Sequence, residues 1–169
     1  MFKAIRRRLA DMRTLRLLCE RAEAHARERG AALPGAEHFL LAALDLPDGA
    51  AARVFARLQV DPRRVPGAIE EQYRNALASV GLDGAHEAPE PLAAPVAGVY
   101  RAQASAQALM QVLAKDAEMR AGRGLSGAHV LAALAKAEQG VAARTLRVLG
   151  VGTEQLSRAA HEEISALPA

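Results

Sequence analysis

The stretch from Pro34 to Arg53 reads Pro-Gly-Ala-Glu-His-Phe-Leu-Leu-Ala-Ala-Leu-Asp-Leu-Pro-Asp-Gly-Ala-Ala-Ala-Arg, and a second version of it runs from Ser126 to Arg144. A shift of 91 residues aligns the two copies without a gap. The identical pairs are His38 and His129, Leu40 and Leu131, Ala42 and Ala133, Gly49 and Gly140, residues 51–53 and 142–144, Leu58 and Leu149, and Val60 and Val151. This agreement indicates an internal duplication, so the chain is predicted to be two copies of one unit.

The composition predicts an all-α fold. Half of the 169 residues are hydrophobic, but only 3% are aromatic and Trp is absent, so Ala and Leu must build the core. Small and γ-branched side chains favour closely packed helices over sheets. Each unit alone would leave apolar faces open. We therefore expect two tandem four-helix repeats that pack about a pseudo-twofold axis and form one globular domain.

The first repeat is predicted at residues 9–78, behind a basic amino-terminal arm at 1–8 that is frayed or extends the first helix. That helix should end near Gly30, and a second, buried helix should run from Ala36 to Leu46. A third helix carries Val54, Phe55 and Leu58 inward. Since Pro66 would break a helix that began at Asp61, a turn is expected at 61–65 and a regular fourth helix from about Pro66 to Ala78.

A connector is predicted at residues 79–99, where three prolines and three glycines forbid a regular element. Its length suggests either a strap packed on the surface or a flexible segment. The second repeat, at 100–166, should repeat the order long, short, short and medium. Its long helix is expected to reach about Ala121 with Ala108, Val112, Ala114 and Met119 facing inward, and Ser126, Gly140 and Thr153 should begin the helices that follow.

The duplicated motif resembles the Clp amino-terminal repeat. The residues that carry the resemblance are Glu-His-Phe-Leu-Leu-Ala-Ala-Leu at 37–44, a Gly at 49, Ala-Ala-Arg-Val-Phe at 51–55, and Leu-x-Val-Asp at 58–61. The resemblance extends from about Leu15 to about Ile164. It implies the helical fold of the mobile N-terminal domain of Clp-type AAA+ unfoldases, and it implies that the connector is a strap.

The resemblance also implies candidate binding residues. In some members of the family the Glu of a Gly-Thr-Glu-His motif takes part in binding phosphorylated arginine, and the domain docks adaptor proteins. Glu37 stands at that position in the first repeat, beside His38, whereas the second repeat has Ala128 before His129. A first-turn carboxylate stabilised by the helix dipole is the alternative role for Glu37. Both Glu37 and Ala128 are expected near the surface.

No catalytic or metal-binding constellation is found in the sequence. There is no Gly-x-x-x-x-Gly-Lys-Ser/Thr loop, and the glycines at 122, 124 and 127 follow a predicted helix rather than the strand that a dinucleotide-binding loop requires. The five histidines and Cys19 lack zinc-ligand spacing, so Cys19 is expected to be a buried structural thiol. We therefore expect no enzyme activity, no cofactor and no metal.

The amino terminus is locally basic, with nine Lys and Arg residues against four acids in the first thirty positions. Arg13 and Arg16 are candidate contacts for acidic partners. The same arginines support an alternative function, a nucleic-acid-binding protein, although no aromatic residue is interleaved with them. The chain has neither a signal-peptide pattern nor an apolar run long enough to span a bilayer, and a cytoplasmic location is expected.

These observations predict a non-enzymatic protein-binding module. Its partner would be a Clp ATPase, a protease core, an adaptor or a substrate protein, with no nucleotide and no membrane involved. The ligand is expected on exposed faces or in a groove between the repeats. Whether the chain acts alone or is a piece of a longer unfoldase is left open.

The missing phosphate loop leads to a first prediction. Because the phosphate loop of ATPases is missing and the glycines at 122–127 follow a predicted helix, ATP and NAD should give no saturable heat with the protein in titration calorimetry at about millimolar ligand. Saturable binding of either nucleotide would contradict this interpretation of residues 122–127.

Overall fold

A computed structural model describes residues 2–79, 81, 100–119 and 123–168, with side chains left out at 2–4 and 117–119. Within these ranges the chain forms eight α-helices and one 3₁₀ turn, and no strand. The helices are α1 (Phe2–Glu28), α2 (Ala36–Leu44), α3 (Ala50–Arg57), α4 (Val65–Ser79), α5 (Ala104–Met119), α6 (Gly127–Leu134), α7 (Val141–Val148) and α8 (Thr153–Ala166). The all-α prediction is confirmed.

The predicted order of helix lengths recurs in both halves. The helices have 27, 9, 8 and 15 residues in the first half and 16, 8, 8 and 14 in the second. The 91-residue shift also holds beyond the identical residues, because α4 buries Val65, Ala68, Ile69 and Gln72 while α8 buries the four residues 91 positions later, Leu156, Ala159, Ala160 and Glu163. The duplication therefore extends through the fourth helix.

Several predicted boundaries differ from the observed ones. Residues 2–8 continue α1, and the predicted turn at 61–65 is observed as a 3₁₀ turn at Pro62–Arg64, capped by the carboxylate of Asp61. Helix α2 ends at Leu44, two residues earlier than predicted. Most of the predicted connector, residues 80 and 82–99, lies outside the described residues, and the domain boundaries stay predictions.

The inner face of α5 was predicted wrongly. The buried residues of α5 are Ala106, Leu109 and Leu113, whereas Ala108 and Ala114 are exposed and Val112 is half-buried. The side chain at 119 and the predicted helix end at 121 lie outside the described part of the chain. Alanines lie on both the exposed and the buried sides of this helix, so alanine does not mark the inner face. The leucines spaced four residues apart do mark it.

The two repeats are interleaved rather than simply placed side by side. Helix α2 contacts α6 at the centre; α3 packs on α8 as α7 packs on α4, and α2 contacts α7 as α6 contacts α3. Exchanging the two repeats converts the α3–α8 contact into α7–α4 and the α2–α7 contact into α6–α3, and it leaves the α2–α6 contact as it is. That exchange is expected of a pseudo-twofold arrangement, which stays a prediction.

Helices α2 and α6 are buried on all sides, with every residue of 36–43 and 127–134 less than a tenth exposed. Their first N–H groups cannot reach water, so protein atoms must accept them. The repeated histidine does this in both copies: Nδ1 of His38 accepts the N–H of Gly35 at 2.9 Å, and Nδ1 of His129 accepts that of Ser126 at 3.2 Å. Histidine here fills the role that Glu or Gln has in a capping box.

Polar contacts between the repeats satisfy further N–H groups. Asp11 on α1 accepts the N–H of Leu125 at 2.7 Å, just before α6, and the Ser105 hydroxyl on α5 accepts the N–H of Ala36 at 3.2 Å. Asp11 thus caps the loop before α6, and Ser105 caps the first N–H of α2. The two repeats also approach closely at Gly127, where a Cβ would lie 2.8 Å from the carbonyl oxygen of Ala43.

An ion pair joins α3 of the first repeat to α8 of the second. The Glu163 side chain is only 4% exposed, and its carboxylate accepts hydrogen bonds from Arg53 at 2.5 Å and from Arg57 at 3.0 and 3.1 Å. Burial alone would raise the pKa of Glu163, but the hydrogen bonds from the two arginines outweigh it and lower that pKa. At the equivalent positions the other side of the molecule has Gln72, Arg144 and Val148.

Glu163→Gln should lower the free energy of unfolding by about 1–2 kcal/mol at neutral pH, since both arginines lose a charged acceptor but stay partly exposed. The carboxylate's contribution is present above the unfolded-state pKa of about 4.3 and is lost as pH falls through the lower folded-state value. The difference in the free energy of unfolding between wild type and variant should therefore disappear in acid. Urea unfolding across pH measures it, with the exposed Glu71→Gln on α4 as a near-neutral control.

The cap formed by His38 predicts a second pH effect. Burial lowers the pKa of His38, and Glu37 only partly opposes the change, so the folded protein holds the imidazole neutral. The unfolded chain takes up a proton below about pH 6.5, and this uptake should reduce stability as pH falls. In His38→Gln the amide oxygen can keep the cap, as Gln155 does for the N–H of Gly152 at 3.3 Å.

The His38→Gln variant should therefore lose less stability than wild type between about pH 7 and 5 in urea unfolding. The exposed His161, changed to Gln, is the matched control and should leave the profile of the wild type unaltered. An unchanged acid-induced loss in His38→Gln would show that this imidazole does not cause it.

Candidate functional site

Three of the predicted site residues lie in the interior. Glu37 is 2% exposed, His38 is fully buried and His129 is 7% exposed. Ala128, at the position equivalent to Glu37, is fully buried as well. The expectation that Glu37 and Ala128 lie near the surface is therefore wrong, because α2 and α6 are enclosed by the other repeat rather than exposed at their first turns. Changing either residue should cost more than the small amount typical of a surface site.

Glu37 is held by a tyrosine that is distant in the sequence. The Tyr73 hydroxyl on α4 donates to Oε1 of Glu37 at 2.5 Å, and Nδ1 of His38 lies 3.4 Å from the same oxygen. Burial raises the pKa of Tyr73, and the hydrogen bond to Glu37 raises it further, so the phenol remains protonated. The carboxylate covers Gly35, where a Cβ would come within 2.6 Å of Oε1.

The second repeat replaces this polar pair by an apolar one. The residues 91 positions after Glu37 and Tyr73 are Ala128 and Ile164. Only the first repeat therefore has a carboxylate and a phenol at this place. Glu37 and His38 are brought together, but neither is open to a protein partner in this structure, and their function as binding residues stays a prediction.

The other two predicted residues, Arg13 and Arg16, lie on the exposed surface of α1. Arg16 borders a groove of about 370 Å³ that is mostly apolar. The groove is lined by Met12, Leu15, Arg16, Cys19, Glu20, Glu23 and Tyr100. Nε of Arg16 donates to Glu20 at 2.7 Å, and both side chains are more than half exposed, so this ion pair holds the rim only weakly.

The base of the groove is chemically inert. Cys19, expected to be a buried structural thiol, is partly buried, and Tyr100 lines the groove with it. Burial raises the pKa of the Cys19 thiol and that of the Tyr100 phenol, so both groups stay protonated. A protonated thiol is a poor nucleophile. The groove offers an apolar surface for packing rather than a reactive group.

Sequence periodicity did not reveal this groove. Leu15 and Cys19 were assigned to the core stripe of α1, yet both are only partly buried. Tyr100 closes the groove from a position 81 residues after Cys19 in the sequence. The spacing of Ile5, Leu9 and Met12 at i, i+4 and i+7 was the available signal of a second apolar stripe on α1.

A second cleft, of about 340 Å³, lies between the repeats at α3, the loop that follows α7, and α8. Its charged and polar lining is partly paired: Arg57 lies 3.7 Å from Glu162 in the cleft and also pairs with Glu163 outside the lining, and Gln155 caps Gly152. The groove on α1 has more unpartnered apolar surface. It is the better candidate for docking.

Other kinds of site were also sought. Among the described residues, no group of three or more His, Cys, Asp or Glu side chains is arranged to hold a metal ion. None of the described helices combines the length and the apolar character needed to cross a membrane.

Comparison with known proteins agrees with the helical architecture. The model of the Clp repeat N-terminal domain family matches residues 13–110, which include all of α2, α3 and α4 and most of α1. A search of curated proteins found no significant match. The domain described by this family is a non-catalytic module that interacts with proteins. With more than half of its length matched, the chain belongs to the Clp repeat N-terminal domain family.

Proposed function

We propose that this chain is a docking module of a Clp-type chaperone–protease system that binds a partner protein at the groove on α1. Membership of the Clp repeat family supports a protein partner. The observation that carries the proposal is the groove itself, a mostly apolar concavity on the outer side of α1 whose charged lining residues are Arg16, Glu20 and Glu23. Such surfaces are typical of helix-in-groove recognition.

The partner would be a Clp ATPase, a protease core, an adaptor or a substrate protein, in the cytoplasm. Met12, which is 66% exposed, and Tyr100 would supply the apolar contacts. Arg13 and Arg16 would attract acidic residues of the partner and increase the rate of association. Glu37, His38 and His129 would hold the buried helices in place rather than touch the partner.

Binding measurements with a purified Clp ATPase or adaptor of the same cell test the proposal. Tyr100→Ala should weaken binding at least about tenfold, because it removes one wall of the groove and such aromatic anchors cost more than about 1 kcal/mol when truncated. Leu77→Ala is the matched control, since Leu77 is 37% exposed against 38% for Tyr100 but lies on α4 away from the groove. Thermal unfolding should confirm that both variants are folded.

The Glu37→Gln variant tests whether the partner binds at the groove or at the Glu37 position that the family resemblance implies. The amide oxygen can still accept from Tyr73, so the variant should fold, and docking at the groove should be unchanged. Weaker binding by a folded Glu37→Gln protein, with Tyr100→Ala unaffected, would locate the docking site at Glu37 instead. Salt-sensitive binding of duplex DNA in place of any protein would support the nucleic-acid alternative.

A further inference from the structure

The amino-terminal end of α1 carries an apolar stripe with nothing described against it. Residues 5–10 are all exposed. Ile5 and Leu9 are each 51% exposed and Met12 is 66% exposed, and their spacing places them on one side of the helix. Exposed large apolar residues that form one stripe indicate a binding surface, whereas scattered ones do not.

The groove begins where this stripe ends, on the same side of α1. Met12 belongs to both, and Leu15, Cys19 and Tyr100 continue the apolar surface toward the middle of the molecule. One helix thus offers protruding apolar side chains near its exposed amino-terminal end and a concavity of about 370 Å³ further along. A twofold axis perpendicular to two antiparallel helices brings each protrusion to the other copy's concavity, because such an interface is self-complementary.

The charges along α1 favour the same arrangement. Arg6 and Glu20 are 14 residues apart, close to four helical turns, so they lie on the same side of the stripe. In an antiparallel pair the same sides of the two helices face each other. Arg6 of one copy therefore approaches Glu20 of the other, and this contact occurs twice. The exposed pair of Arg16 and Glu20 is weak enough to rearrange.

A partner of uniform negative charge fits this surface less well. An acidic helix, a nucleic acid or an anionic membrane would be attracted to Arg6 and Arg13. Further along the groove it would meet the carboxylates of Glu20 and Glu23. An antiparallel copy of α1 offers the opposite order of charges at Arg6 and Glu20, while the two exposed Arg13 side chains meet near the twofold axis.

We propose that α1 pairs antiparallel with α1 of a second copy of this chain, so that Ile5 and Leu9 of each copy enter the groove of the other. This dimer requires no Clp partner. It covers the groove, so self-association and docking of another protein at the groove exclude each other.

Sedimentation velocity of the full chain at micromolar to near-millimolar concentration tests the proposal. A monomer–dimer equilibrium should appear, and Leu9→Asp should weaken it by at least about tenfold because it buries a charge in the apolar contact. Val148→Asp is the matched control: Val148 is also 51% exposed but lies on α7, and its replacement should leave the dimer unchanged.

Charge reversal tests the antiparallel geometry. Arg6→Glu and Glu20→Arg should each weaken self-association, since each places like charges opposite one another. An equimolar mixture of the two variants should form heterodimers about as well as wild type. In the mixed dimer the introduced carboxylate of one chain meets the introduced guanidinium of the other, and the unchanged Glu20 of the first chain meets the unchanged Arg6 of the second. A merely structural role of either residue within its own chain would not produce recovery on mixing.

A chain that stays monomeric, or a dimer that Val148→Asp weakens as much as Leu9→Asp does, would overturn the proposal. It would also be overturned if the mixture of the Arg6→Glu and Glu20→Arg variants failed to recover self-association. Tight binding of an acidic protein or an anionic vesicle by a monomeric chain would assign the surface to that partner instead. Because sedimentation uses the chain alone, a failed dimer leaves the Clp docking proposal standing, and failed docking leaves the dimer standing.

Discussion

The central constraint on this molecule is that two short helices, α2 and α6, are buried on every side. A buried helix cannot satisfy its first N–H groups with water, and each one left without an acceptor would cost on the order of 1–3 kcal/mol. The duplicated histidine meets this need by accepting an N–H with Nδ1. The first signal of the duplication, a repeated His, thus has a structural cause that needs no chemistry at a functional site.

The same constraint ties the two repeats together. Asp11 accepts an N–H in the loop before α6, Ser105 accepts the first N–H of α2, and Asp48 accepts the N–H of Gly127 at 3.1 Å. Since these acceptors come from the other repeat, neither buried helix is fully capped within its own repeat. The close approach at Gly127 and the ion pair of Glu163 add packing and charge to these contacts. Four helices per repeat are therefore a unit of sequence, and we expect the eight described helices to fold as one unit.

Duplication has been followed by divergence at positions that matter for binding. The polar pair of Glu37 and Tyr73 has apolar counterparts in Ala128 and Ile164, and the ion pair between α3 and α8 has no charged equivalent between α7 and α4. The first helices differ most. Helix α1 is 27 residues long, and its exposed amino-terminal end carries both arginines and large apolar side chains. Helix α5 has 16 residues. Our proposals place docking and self-association on the surface of α1. This surface belongs to one repeat, so a corresponding surface on the other repeat does not compete for the same partner.

Sequence alone determined the duplication, the all-helical class, the order of eight helices, the turn at 61–65 and the family. These follow from local patterns, namely periodicity, proline positions and a repeated motif. Tertiary structure alone decided that Glu37 and His38 are interior residues, since their burial depends on Tyr73 and on the other repeat. It also decided which face of the alanine-rich α5 points inward, and it formed the groove by bringing Tyr100 to Cys19. Burial of a polar residue depends on contacts between residues distant in the chain, and helical periodicity contains no information about such contacts.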